Sequence, residues 1–116
     1  GEVVDVLAVD PAFAQRYPED VKALVQTWWA ARRFAFDNPA QAIALMAQRQ
    51  QITPEEFRAS EHGLNYPGPA AQNRLMTPGG PLSRSITQMS ALMQASGGLH
   101  AGAPLPQLSS EFLVTP

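Results

Sequence analysis

Residues Pro18 to Asn38 read PEDVKALVQTWWAARRFAFDN. Val21, Leu24, Val25, Trp28, Ala31 and Ala35 recur at the three- and four-residue spacing that places side chains on one face of an α-helix. Trp29, Phe34 and Phe36 widen that stripe beyond a single face. Pro18 suits the first helical position, where the missing N–H costs nothing. Glu19 and Asp20 place negative charge against the positive end of the helix dipole. Asn38-Pro39 closes the segment, because a residue before proline is pushed out of helical geometry. Both tryptophans of the chain lie in this helix, so a core is expected around it. Packing is the expected role of the Trp28-Trp29 pair, and a ligand-stacking platform is the alternative.

Outward from this helix, the signals are a series of starts and stops. On the C-terminal side, Asn38 caps and Pro39 opens a second amphipathic helix to about Gln50, with Ile43, Met46 and Ala47 on its apolar face. Two helices joined this tightly should cross and share a core. Thr53-Pro54-Glu55-Glu56 is a capping box, with Thr53 at the N-cap and Glu56 at N3. It starts a third helix over about 54–62, stopped by Gly63. Glu55 and Glu56 are consecutive, so on a helix they diverge and form no carboxylate dyad. Asn65 to Pro69 is extended or turned, and Ala70 to Met76 has room for one or two helical turns. Thr77-Pro78-Gly79-Gly80-Pro81 is a tight loop lacking both dinucleotide and P-loop spacing. A further helix over about 81–96 carries Leu82, Ile86, Met89 and Met93 as a packing stripe, and Gly97-Gly98 ends it. Residues 99–116 form an irregular tail.

On the N-terminal side, Asp10-Pro11 turns the chain into a short helical turn over 12–16. Before it, Val3 to Val9 (VVDVLAV) is rich in β-branched residues and apolar on both faces apart from Asp5. It reads as a strand of the kind buried in a parallel sheet. Leu64 to Tyr66 and Leu113-Val114 are the only other strand candidates, and both are short. The strand therefore pairs with a second copy of the chain or belongs to a sheet whose other strands lie elsewhere, which makes Val3–Val9 a candidate dimerisation edge.

The totals narrow the function. The chain has 116 residues, 45% hydrophobic and 16% charged, with net charge −2. That length bounds it to at most one domain, and the resemblance given below makes it a partial one. Lys22 is the only lysine and Arg32-Arg33 the only basic pair, so no nucleic-acid footprint is present. No cysteine occurs, which excludes disulfides, thiolate metal sites and a cysteine nucleophile. His62 and His100 have no metal-ligand spacing, and Ser83, Ser85 and Ser90 sit in no nucleophile-elbow motif. No catalytic residue, metal ligand or cofactor is expected. Gly1 reads as a cloning scar, and the chain as a piece of a longer product.

The order of these phrases resembles the C-terminal part of solute-binding proteins of nitrate/taurine/sulfonate-type ABC importers. The resemblance runs through the strand with Asp10-Pro11, then Tyr17-Pro18-Glu19-Asp20-Val21-Lys22-Ala23-Leu24 and its aromatic-rich helix. It continues in the Asn38-Pro39 junction with Ala42 and Met46, in Thr53-Pro54-Glu55-Glu56-Phe57, and in Asn73 with Gly79 to Leu82. It covers most of the chain and weakens after Gly98. It implies a mostly α segment with one N-terminal strand, completing a two-lobed α/β periplasmic-binding-protein fold. It also implies a non-enzymatic role: capture of a small organic anion or related nutrient, outside the cytoplasm or tethered there, for delivery to an ABC permease. The cleft of that family is lined mostly upstream, so no ligand-contacting residue is assigned. Two rivals stand beside this reading. One is a free-standing helical module that dimerises through the strand edge or the Trp28-Trp29 region. The other is a fragment of a thiamine-pyrimidine-synthesis-like enzyme of the same fold.

Overall fold

The computed structural model describes residues 3–113 and contains six helices among them: α1 (Pro11–Arg16), α2 (Pro18–Asp37), α3 (Pro39–Gln50), α4 (Pro54–Ser60), α5 (Pro69–Met76) and α6 (Pro81–Ala95). Every one of them opens on a proline. Proline presets the helical backbone angle at the one position where an N–H is not needed, so these six residues fix all six starts.

The caps follow from local chemistry. Asp10 Oδ1 accepts a hydrogen bond from the Phe13 N–H at 2.9 Å and closes the open end of α1. The capping box of α4 is complete. The Thr53 N–H donates to Glu56 Oε2 at 2.8 Å, and the Glu56 N–H donates to Thr53 Oγ1 at 3.2 Å. Asn38 behaves differently from its expected role. Its side-chain amide donates back to the Phe34 carbonyl at 3.2 Å, and makes no cap bond to α3. The same carbonyl accepts the Asn38 backbone N–H at 2.8 Å, so the side chain adds a second bond to the end of α2, and α3 starts on Pro39 without a side-chain cap. Glycines follow two of the helix ends, with Gly63 at φ 88° and Gly97 at φ 77°. A side chain in either place would be strained.

The chain divides into two compact units at the Glu61/His62 boundary. In the first unit α2 packs on α1 and α3, and α3 packs on α4. Its core is Val21, Trp29, Ala42, Ala47 and Phe57. In the second unit α5 packs on α6, with Leu82 as its buried residue.

Residues 3–10 form no strand, and no strand occurs among the described residues. A strand is defined by its ladder of hydrogen bonds to a neighbour, and a single copy of this chain supplies none. Leu64 to Tyr66 is likewise non-strand. Val114, the second half of the other short candidate, lies outside the described residues, as do Gly1, Glu2 and the last two residues of the tail. The mostly helical expectation therefore holds, while the strand at Val3–Val9 is not formed.

Candidate functional site

The described residues offer little for catalysis. They contain no group of three or more His, Asp or Glu residues able to hold a metal ion. No polar or charged residue among them is buried. His62 and His100 are both exposed. Lys22 bonds Glu19 at 2.7 Å, one helical turn away. Glu55 reaches Arg58 at 3.5 Å across an exposed turn. Glu56 is held by the Thr53 backbone N–H and then by the Thr53 hydroxyl. These bonds favour its charged form and lower its pKa from the ordinary 4.5. The carboxylate pair is thus a helix cap and a surface ion pair.

One open hollow of about 400 Å³ lies at the end of α3, lined by Leu45, Gln48, Arg49 and Gln51. Its polar groups are the ends of solvated side chains. Nothing in it is pre-organised as a small-molecule site would be.

Exposed apolar surface is the dominant feature, and three of its places bear on the expectations from sequence. Residues 3–7 are the first. Val3 is 87% exposed and Val6 and Leu7 are each 62% exposed. The expected dimerisation edge is thus uncovered, in an apolar run with only Asp5 to solvate it.

The second place is α2. The tryptophan pair is split, with Trp29 buried at 6% exposure and Trp28 open at 48%. The buried side runs through Val21 and Trp29, with Val25 and Arg32 half-buried beside them. Leu24 and Trp28, assigned by periodicity to the core-facing stripe, lie on an adjacent strip and are about half exposed. Spacing establishes that two residues share a face, but the neighbouring helix decides which part of a wide apolar arc it covers. Trp29 Nε1 is buried without a hydrogen-bond partner, so its indole serves here as apolar volume.

The third place is the far half of α6. Leu82 is buried and Ile86 half-buried, but Met89 and Met93 are exposed, with Leu92 beside them. Their expected packing role is not realised. The reason is length: α5 has eight residues and α6 has fifteen. At about 1.5 Å per residue, α5 reaches only half of its partner.

Comparison of the chain with family models, with curated proteins and with solved structures found no match. No helix among the described residues is long and apolar enough to cross a membrane.

Proposed function

We propose that this chain is the C-terminal part of an extracytoplasmic solute-binding protein, non-enzymatic, which captures a small organic anion or related nutrient for an ABC importer. The observation that carries the reading is the uncovered run at residues 3–7. Its β-branched, two-faced apolar sequence suits the inside of a parallel sheet, and it stands exposed where the described residues form no sheet. A two-lobed α/β protein would supply one from its upstream portion, and would convert Val3–Val9 into an interior strand. The order of helix-start phrases from Tyr17 to Leu82 supports the same family. The solute cleft then belongs to the intact protein, and the permease is its partner.

The test is to express the chain together with its upstream coding region. The expected result is titration calorimetry showing binding of one member of a panel of nitrate, taurine and alkyl sulfonates. Slow amide exchange at residues 3–9 is expected in the same protein. An intact product that binds none of the panel and leaves residues 3–9 fast-exchanging would overturn the proposal.

A second reading is favoured by the exposed apolar residues of the chain, Leu24 and Val3 among them. On it, the chain is a helical interaction module that self-associates, through the strand edge or through the Trp28 region. The enzyme reading has less support. It needs a histidine or lysine at a cleft, whereas His62 and His100 are exposed and Lys22 is engaged with Glu19.

A further inference from the structure

We propose that Met89 and Met93 form the oxidation site of this chain, where a peroxide converts both thioethers to sulfoxides and turns an apolar face of α6 polar while the helix stays folded. The inference uses neither residues 3–9 nor a solute cleft, so it stands whichever functional reading holds.

The chain has four methionines and no cysteine, so thioether is its only oxidisable sulfur. The sulfur lone pair attacks one oxygen of hydrogen peroxide. An S–O bond forms, the O–O bond breaks, and the second oxygen leaves as water once the proton has transferred. Sulfur is oxidised by two electrons and the peroxide is reduced by two, with no further reactant. This reaction needs access to sulfur and no catalytic side chain, so the surroundings of each methionine set the order. Met89 is 54% exposed and Met93 41%. Every residue from Ala91 to Gly98 is exposed, so nothing shields the neighbourhood of Met93. Met46 is 36% exposed and lies beside the buried Ala42 and Ala47 of α3. Met76 is half-buried at the end of α5.

The position of the pair also decides what oxidation does. Met89, Leu92 and Met93 are three and four residues apart and share one face of α6. The buried residue of this helix, Leu82, lies about two turns earlier. A sulfoxide in a core would disrupt packing, but here it meets water. Met93 helps to close α6 through its backbone alone. Its carbonyl accepts the N–H groups of Gly98 at 2.8 Å and Leu99 at 3.1 Å, and side-chain oxidation leaves both bonds in place. The face therefore loses apolar character without loss of the helix. Methionine sulfoxide reductases, one for each sulfoxide epimer, reverse the change, which makes the end of α6 a redox-controlled surface.

The test treats the whole chain with hydrogen peroxide and follows it by peptide mass mapping, circular dichroism and 8-anilinonaphthalene-1-sulfonate fluorescence. Met89 and Met93 should take up the first two oxygens, several-fold faster than Met76. Helical ellipticity should be retained at that stage, and dye fluorescence should fall. A Met89→Leu/Met93→Leu variant keeps the shape and apolarity of the face and should keep its fluorescence under the same treatment. Adding both reductase types to the oxidised parent should restore its mass and its fluorescence. Oxygenation of Met46 or Met76 before the pair would overturn the proposal. So would loss of ellipticity with the first two oxygens, a fall in fluorescence that the double variant shares, or an oxidised chain that the reductases do not restore.

Discussion

Trp28 and Trp29 are chemically identical neighbours with opposite fates, so they are the sharpest probe of this molecule at the residue scale. Trp29→Ala removes a large side chain from the core of the first unit and should cost about 3–5 kcal/mol. Trp28→Ala removes one that is half exposed and should cost about 1 kcal/mol or less. Urea denaturation of the two variants checks the contrast. Thr53 offers a second probe. Thr53→Ala breaks the capping box and should cost about 1 kcal/mol at neutral pH. The cost should depend on pH, because Glu56 has a lowered pKa in the folded chain. A carboxylate whose folded pKa is depressed contributes stability that is present above its unfolded value and lost as pH falls through the folded one. The difference in thermal midpoint between the parent and Thr53→Ala should therefore be largest above pH 4.5 and shrink below it. It should not vanish, since the Glu56 N–H loses its acceptor at any pH.

Among the elements, the α5–α6 hairpin turns on a close approach. A Cβ at Gly80 would stand 2.6 Å from the Thr77 carbonyl oxygen and 3.2 Å from that of Arg74. Both are backbone atoms and neither can swing away. Gly80→Ala should destabilise the hairpin by about 1–3 kcal/mol, read as a lower urea midpoint. From the sequence, the two glycines of Thr77-Pro78-Gly79-Gly80-Pro81 were legible as a turn. Their separate duties were not, because Gly79 is needed for its left-handed backbone at φ 68° and Gly80 for its lack of a side chain. The α6 stripe makes the same point about packing. Leu82, Ile86, Met89 and Met93 do share a face, as their spacing requires. The length of α5 confines burial to the first two.

For the whole molecule, the uncovered apolar surface is the property with consequences. Apolar patches at residues 3–7, on α2 and on α6 favour association and dye binding. The chain should bind 8-anilinonaphthalene-1-sulfonate in its folded state. Val6→Lys should reduce concentration-dependent light scattering, while leaving stability within about 0.5 kcal/mol of the parent, because Val6 is 62% exposed. An unchanged scattering profile would assign the association to the helical patches.

Local chemistry determined most of the secondary structure of this protein. Six prolines at first helical positions, the Asp10 cap, the Thr53–Glu56 box and the glycines after α4 and α6 act within four or five residues of themselves, so their effect is legible without knowing the fold. Tertiary structure decided which parts of the apolar faces are used. The choice between Trp28 and Trp29, the exposure of Met89 and Met93, and the unpaired state of residues 3–9 depend on partners distant in sequence. A helix can be specified by its own residues, because its hydrogen bonds close internally. A strand or a buried face exists only when a second surface arrives to cover it.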